Sequence, residues 1–148
     1  MADDAEELEF EIQQELNETQ EQFRQRLIKI GAEAAEGVIE KTPVDTGFLV
    51  NSWQAGIGEI NIPIASSPPG NQTVSEADAS RSKKEATENA ESVISLAELG
   101  DVITIANGAN YAAAVENGVT DEEGNRIRDG VFMVRTTIAE LRTRFGRD

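Results

Sequence analysis

A single apolar stripe through the first forty residues is the strongest constraint on the fold. Its members recur mostly at three- and four-residue steps: Leu8, Ile12, Leu16, Phe23, Leu27, Ile30, Ala34 and Val38. This spacing places them on one face of an α-helix. Pro43 ends the pattern, because the residue before a proline is driven out of the helical region. We predict one helix from about Asp4 to Lys41, on the order of 57 Å long.

Such a helix is too long for the domain that carries it. The chain has 148 residues, about one domain's worth, and a compact domain of that size is narrower than the helix. The first half of the helix must therefore project, fray, bend back or pack on another chain. We predict a single domain over residues 1–148, with residues 1–19 as an acidic helical extension.

Charge is unevenly distributed along the chain. There are 28 Asp and Glu against 13 Lys and Arg, so the net charge is −15. The first 23 residues contain nine acids and no base, whereas residues 125–148 have a net charge of +3. These runs are either solvated helix faces or complementary ends that meet between subunits of a homo-oligomer.

Two absences and the net charge limit the chemistry. The sequence has no His and no Cys, so it offers no disulfide, no imidazole or thiolate catalysis and no His/Cys zinc site. The excess of acids argues against docking on DNA or on anionic lipid. The acidic N-terminus lacks the apolar region of a signal peptide, and no apolar run approaches the roughly 20 residues of a membrane span. We expect a soluble protein made in a cytoplasm.

No motif selects a catalytic or cofactor site. The segment 121–125 resembles a calcium loop, but placing Gly124 at its sixth position puts Val119 at the first, which breaks the EF-hand pattern. Nothing chooses an acid–base pair among the carboxylates. We expect no enzyme activity, no cofactor and no metal. A carboxylate- or metal-dependent hydrolase is the weakest alternative.

The rest of the chain alternates short elements. Patterning predicts a turn at 42–47, strands at 48–57 and 60–64, a flexible loop at 65–82, a helix at 83–98, a strand at 101–106, a turn at 107–110, a helix at 111–116, a loop or hairpin at 119–130 and a terminal helix from 131. The predicted class is α+β, with a small antiparallel sheet on which the N-terminal and C-terminal helices pack.

The turn after the first helix has its own chemistry. Pro43 presets φ, Asp45 can bond a nearby backbone amide, and Gly47 tolerates a positive φ. One interpretation is a helix stop with satisfied backbone groups, beginning at Thr42. The other is a subunit junction, where Asp45 or Thr46 bonds a neighbouring chain.

Further positions along the chain lead to specific predictions. Trp53, the sole Trp, either packs in the core or anchors an interface. The ring of Tyr111 is expected to pack, with its hydroxyl group bonded to a partner. Glu116 lies near the end of a short helix closed by Gly118, an unfavourable place for negative charge. We predict that a basic partner such as Arg135, in the same chain or the next, relieves it.

Two segments are more specific than this periodicity. The first is KTPVDTGFLVNSW at 41–53, and the second is IANGANYAAAVENG at 105–118, followed by FMVR at 132–135. In this order, over about residues 20–145, they resemble the tail-completion, or minor tail, proteins of long-tailed bacteriophages. The motif residues, which are the expected subunit contacts, are Thr42, Pro43, Asp45, Thr46, Gly47, Trp53, Asn107, Tyr111, Glu116, Gly118 and Arg135.

The resemblance implies a structural virion protein that assembles in the host cytoplasm. Relatives form rings, typically hexameric, in the neck at the head-proximal end of the tail, where they complete the tail and join it to the head. The implied partners are further copies of the chain, the tail tube protein and the head connector or stopper protein. DNA would pass through without specific binding, along an acidic wall drawn from residues 119–130 or 65–82. The alternative is an adaptor that forms no ring and binds a partner through the long acidic helix.

Overall fold

A computed structural model describes residues 3–68 and 72–146, and its longest element is the predicted N-terminal helix. Helix α1 spans Asp4–Glu40, 37 residues without a break. The Asp3 carboxylate accepts the N–H of Glu6 at 2.9 Å and caps the first turn. At the other end the N–H of Thr42 bonds the carbonyl of Ile39, which closes the helix before Pro43.

The two halves of α1 have different surroundings. Every residue from 3 to 23 is exposed. From Arg24 onward the helix contacts the body, since the Arg24 Nε donates to the carbonyl of Ala97 at 2.9 Å. We call residues 4–23 the arm. At 1.5 Å per residue the arm projects roughly 30 Å beyond the body. Residues 4–19 of the predicted extension are therefore helical and exposed, whereas residues 1 and 2 lie outside the described residues.

The predicted strand at 48–57 is wrong over its first part. Helix α2 spans Phe48–Asn51, and strand β1 spans Trp53–Ile57. Gly47 has φ 89° and its carbonyl accepts the N–H of Asn51, which starts a helical turn. Leu49 and Val50 are 5% and 0% exposed. Two adjacent buried side chains fit a helical turn but not a strand whose residues alternate between faces.

Strand β1 pairs antiparallel with β2, Ile103–Asn107, which confirms the strand predicted at 101–106. The strand predicted at 60–64 is absent, and only an isolated bridge joins Ala65 to Ala109. Pro63 has no N–H to offer a ladder. The side chains of Ile60 and Ile62 instead fill the places where Gly56 and Gly108 lack a Cβ.

Helix α3 spans Glu76–Ile94 rather than 83–98. Its first turns lie inside the segment predicted to be a loop, because the Ser75 hydroxyl caps the N–H of Asp78 at 3.2 Å. Residues 69–71 of that loop lie outside the described residues. At its flanks, the N–H of Ala65 bonds the carbonyl of Gly108. The flexibility of the remaining loop stays a prediction.

The C-terminal third forms two helices around a hairpin. Helix α4 spans Ala112–Asn117, strands β3 and β4 span Gly118–Thr120 and Arg126–Asp129, and helix α5 spans Met133–Phe145. The hairpin confirms one of the two options predicted for residues 119–130. The predicted α+β class is confirmed, with two small antiparallel sheets in the described chain.

The core lies where α1, α3 and β1 meet. Its fully buried members include Ala35, Ile39, Val50 and Ile94. Helix α5 packs across the C-terminal half of α1, where Thr137 fills the space beside Gly37. No helix in the described ranges combines the length and apolarity of a membrane span.

Candidate assembly interface

Thr42, near the start of the first motif, is built into the core. Thr42 is 1% exposed; its Oγ1 donates to the carbonyl of Val38 at 2.6 Å and accepts from the Nε1 of Trp53 at 2.8 Å. The Sδ of Met133 lies 3.3 Å from the same oxygen. This hydroxyl group therefore joins α1, β1 and α5. Pro43, the next residue, is exposed.

The other polar groups of the turn are also bonded within the chain. The Asp45 carboxylate accepts from the Thr73 hydroxyl at 2.6 Å, and the Asp45 carbonyl accepts the N–H of Val74 at 2.7 Å. The Thr46 hydroxyl accepts the N–H of Phe48 at 3.3 Å. These bonds agree with the helix-stop interpretation. A contact from Asp45 or Thr46 to a neighbouring subunit stays a prediction.

The second motif begins with a structural asparagine. The Asn107 amide donates to the carbonyl of Leu49 at 2.8 Å, and its Oδ1 accepts the N–H of Ala109 at 2.9 Å. The side chain thus holds α2 against the turn that precedes α4. This arrangement links the two sequence motifs, which lie more than fifty residues apart.

Tyr111 follows this turn, and its ring packs, as predicted; the structure adds that its neighbour belongs to the first motif. Its ring lies 6.2 Å from the Phe48 ring, centroid to centroid. Its hydroxyl group makes no hydrogen bond with residues 3–68 or 72–146, so the predicted bond to a partner is not present within that part of the chain. Burial, and then the negative charge of Asp45, raise the pKa of Tyr111.

Glu116 is relieved by a helix N-terminus rather than by a guanidinium. Its two carboxylate oxygens accept the N–H groups of Val134 and Arg135, each at 3.0 Å. The predicted ion pair with Arg135 is therefore wrong within the chain: the Arg135 guanidinium lies over the Phe132 ring, 4.8 Å from its centroid. The free N–H groups and positive dipole end of α5 supply the compensation.

Gly118 closes α4 and starts the hairpin at a place where only glycine fits. Its φ is 82°, and a Cβ there would lie 2.5 Å from the carbonyl oxygen of Arg128. The N–H groups of Val131 and Phe132 bond the carbonyls of Val115 and Glu116. Helix α4, the hairpin and the start of α5 consequently form one hydrogen-bonded unit.

An open groove lies on the side of α5 away from α1. We call it the α5 groove; it has a volume of about 510 Å³ and is largely apolar. Val134 and Ile138 on its rim are 37% and 43% exposed. The side chains that define it are Trp53, Ile105, Met133, Val134, Arg135 and Ile138. Sequence reasoning placed these residues on separate elements and did not bring them together.

The arm carries two adjacent stripes. The apolar side chains Leu8, Ile12, Leu16 and Phe23 are 50–58% exposed. Next to them lies an acidic stripe whose members also recur at three- and four-residue steps: Asp4, Glu7, Glu11, Glu15 and Glu18. None of these five acids forms an ion pair in the described ranges. Exposed apolar surface of this extent marks an interaction site.

An exposed apolar arm together with an open apolar groove defines a protein whose surface is shaped to contact other chains. Residues 6–118 match the family model described as "Bacteriophage HK97-gp10, putative tail-component". Because this match covers most of the chain, the chain belongs to the HK97-gp10-like family of bacteriophage tail components. No curated protein and no solved structure matches it.

The family membership confirms the resemblance drawn from the two motifs. The protein is a structural component of a bacteriophage tail, located in the virion and in contact with other virion proteins. The matched range contains the arm from Glu6 onward, both motifs and α4, and it ends at Gly118. The hairpin and α5 lie beyond it, so the α5 groove is built partly from residues outside the matched range.

Proposed function

We propose that this protein forms a homo-oligomeric ring in the phage neck, at the head-proximal end of the tail. There it completes the tail and joins it to the head connector. The observation that carries the proposal is the arm of a tail-component family member. Its apolar stripe is exposed along roughly 30 Å, and a continuous helix keeps it away from its own body. Such a surface is satisfied only by another chain.

A ring follows from where the complementary surfaces lie. The acidic arm leaves the body at one end of α1, whereas the arginines Arg126, Arg128, Arg135, Arg142 and Arg144 belong to the hairpin and α5. A contact between two different surfaces is heterologous, and repeating it gives a closed ring when the rotation closes. We propose six subunits, with the tail tube protein on one face and the head connector or stopper protein on the other.

The proposed work is contact and shape, without catalysis. The sequence has no His or Cys, and several motif residues serve the fold: Thr42, Asn107 and Glu116 bond backbone groups of their own chain. We further propose that DNA passes the ring without specific binding, because acidic walls repel phosphate. Assembly is proposed to take place in the host cytoplasm before the virion is complete.

The test is the mass of the protein and the fate of particles that lack it. We expect a closed species of six subunits, or a multiple of six, either in isolation or on purified tails. Electron microscopy of particles made without the protein should show separate heads and tails, and supplying the intact chain should restore joined virions. A monomer or dimer that persists when tails are present would contradict the ring.

The second candidate function is a non-ring adaptor that binds a different tail protein through the arm. The same exposed apolar stripe favours it. It predicts a one-to-one complex with that protein and no higher species. Deleting residues 1–19 would then abolish tail binding while the mass of the isolated protein stays that of a monomer.

A further inference from the structure

The arm leaves both apolar and charged groups without partners. The carboxylates of Glu7, Glu11 and Glu15 form no ion pair among the residues that the structure describes. Beside them the apolar stripe is about half exposed. A partner for this surface must supply an apolar groove and positive charge at the same spacing.

The arm cannot reach the α5 groove of its own chain. Helix α1 runs antiparallel to α5: Lys41 pairs with Glu140 at 2.8 Å, and Arg26 donates to the carbonyl of Phe145 at 3.2 Å. The arm therefore continues past the C-terminal end of α5. Because α1 has no break, the arm cannot fold back to the opposite side of that helix.

Two arms do not complement each other. The first 23 residues contain nine acids and no base, so a coiled coil of two arms would place acidic flanks side by side. Like charges at such positions oppose pairing. The partner surface must be basic.

The α5 groove has the required chemistry. Arg135 lines the groove, and Arg142 lies about two helical turns further along α5, beyond the groove. Both are exposed and form no ion pair in the described part of the chain. Between them along the helix lies Ile138, 43% exposed. Glu116 also lines the groove, and its carboxylate accepts two N–H groups of α5, so the positive end of that helix offsets part of the charge that would oppose an acidic ligand.

We infer that the arm of one copy packs in the α5 groove of a second copy, with its acidic stripe against Arg135 and Arg142. The apolar stripe of the arm covers Val134 and Ile138. This inference rests on the self-assembly proposed above and names the two surfaces that form the contact. The arm of each copy then occupies the groove of the next, which leaves no arm exposed in a closed ring.

The order of residues sets the direction of the contact. In the arm the acidic stripe lies one position before the apolar stripe, as in Glu7-Leu8, Glu11-Ile12 and Glu15-Leu16. In α5 the two arginines Arg135 and Arg142 immediately follow apolar residues, Val134 and Leu141. The charged stripe thus lies one residue before the apolar stripe in the arm and one residue after it in α5. When the two apolar stripes face each other, the two charged stripes lie on the same side of the contact only if the helices are parallel. The arm therefore runs parallel to the α5 it contacts.

The spacing of the charges sets the register. Arg135 and Arg142 are seven residues apart, as are Glu11 and Glu18, which is about 10 Å along either helix. Aligning these pairs places Ile12 and Leu16 of the arm on either side of Ile138. The alternative alignment, through Asp4 and Glu11, leaves Ile138 covered by Leu8 alone.

Charge reversal and restoration form the first test. The double variant Arg135→Glu/Arg142→Glu should weaken self-association by roughly tenfold or more, since attraction becomes repulsion at two positions. Adding Glu11→Arg/Glu18→Arg in the same chain should restore it. Arg81→Glu, a single reversal on α3 away from both surfaces, is the control for a change of charge elsewhere on the molecule. Sedimentation measures association, and thermal unfolding verifies that each variant is folded.

Disulfide trapping forms the second test, and the absence of native cysteine makes it clean. Leu16→Cys/Ile138→Cys should form a disulfide between copies under mild oxidation. Leu16→Cys/Glu91→Cys, with the second thiol on α3, should not. On a denaturing gel without reductant, the cross-linked chains should form a series of bands whose largest member has as many chains as the ring.

The outcomes separate this inference from the proposed function. If the ring assembles but the Leu16→Cys/Ile138→Cys pair does not link, and if the charge-reversed variants assemble as well as the wild type, the contact between arm and groove is overturned. The proposed ring is then unaffected. Failure of the charge-restored variant to associate while it remains folded also overturns the contact. Wild-type protein that never associates, alone or on tails, overturns both.

Discussion

At the scale of single residues, the hydroxyl group of Thr42 joins three elements. It bonds the carbonyl of Val38 and the indole N–H of Trp53, and it contacts the sulfur atom of Met133. A helix end, a strand start and the last helix therefore meet at one oxygen atom. The side chain that could have been a surface contact is instead 1% exposed.

Thr42→Val tests this arrangement. Valine preserves the shape but leaves the Trp53 N–H without its acceptor, so we expect a loss of about 1–3 kcal/mol in the free energy of unfolding. Thr42→Ser keeps the acceptor and should lose less. Thr120→Val, an exposed position in β3, is the control and should change stability by no more than about 0.5 kcal/mol. Urea unfolding followed by Trp53 fluorescence measures all three; equal values for Thr42→Val and the control would refute the role.

Tyr111 gives a prediction for alkaline pH. Burial, with the charge of Asp45 second, raises the pKa of Tyr111 above its ordinary value. Its contribution to stability is complete below the unfolded pKa of about 10 and is lost as pH rises through the higher folded pKa. The free energy of unfolding should therefore fall with pH more steeply in the wild type than in Tyr111→Phe.

The tyrosinate absorbance of this sole tyrosine reports the titration directly. Asp45→Asn should shift the pKa of Tyr111 part of the way back. A titration curve identical for the folded and urea-unfolded chains would contradict the prediction.

Among the predicted site residues, the residue type predicted the backbone conformation better than it predicted which group each side chain contacts. Gly47 and Gly118 do adopt positive φ values, because the turn and the helix end both need them. The partner of Glu116 was mispredicted, since sequence offers Arg135 as a charge but does not show that the N-terminus of α5 lies beside α4. Such a contact depends on the hairpin that brings the two helices together.

At the scale of elements, Glu116 acts as the cap of α5 from outside that helix. The residue before α5, Phe132, has φ 57° and offers no side-chain cap. The Glu116 carboxylate fills this role across the hairpin. The start of α5, and with it one wall of the α5 groove, is thereby set by a residue of α4.

Glu116→Ala should destabilise the protein by about 1 kcal/mol, since two N–H groups lose an acceptor and the helix dipole loses a charge. Glu116→Gln should lose less because one acceptor oxygen remains. Glu91→Ala, an exposed acid on α3, is the matched control. Guanidinium unfolding monitored by circular dichroism is the measurement, and a Glu116→Ala loss no larger than that of the control would argue against the cap.

The arm gives a second prediction at this scale. Backbone amides of residues 7–23 bond within a helix that no other element covers, and an isolated helix of that length opens readily. Hydrogen exchange should therefore be fast there in the monomer and slow at 24–40, where α1 packs on α3 and α5. Assembly should slow exchange in the arm. Equal protection of both halves in the monomer would contradict this picture.

Sequence periodicity predicted elements well where one face is buried over many turns. The bounds of α1 follow from its stripe and from Pro43, and α5 follows from its apolar spacing. Helix α2 was missed because four residues are too few to show a period. The segment at 60–64 alternates like a strand, yet its isoleucines pack on two glycines instead of pairing. The local sequence pattern shows which side chains are apolar, but it does not show which surface of the protein they pack against.

At the scale of the whole molecule, charge is separated between the acidic arm and residues 125–148, whose net charge is +3. The hairpin has both signs: its tip contains Glu122 and Glu123, ordered by hydrogen bonds from two backbone N–H groups to the Asp121 carboxylate, and its second strand contains two arginines. If the tips face the channel of the proposed ring, DNA meets acids first. The arginines are set back from the tip.

Glu122→Lys/Glu123→Lys should cause the channel of the proposed ring to bind DNA. We expect duplex DNA to bind the purified double variant at low salt and to dissociate at high salt, and DNA ejection from particles to slow while heads and tails remain joined. Glu85→Lys/Glu91→Lys on α3 makes the same change of net charge at exposed positions outside the hairpin. Ejection slowed equally by both variants, or a bore lined by arginine, would contradict the assignment.

The continuity of α1 has a mechanical consequence. The arm and the core segment of this helix share one unbroken ladder of backbone hydrogen bonds over 37 residues, with no hinge between the exposed part and the part held by Ala35, Val38 and Ile39. In an assembly that grips the arm, a pulling force would pass straight into the core of the subunit. The force that such a contact between subunits withstands would then depend on how firmly α1 is packed in the core, rather than on the flexibility of a linker.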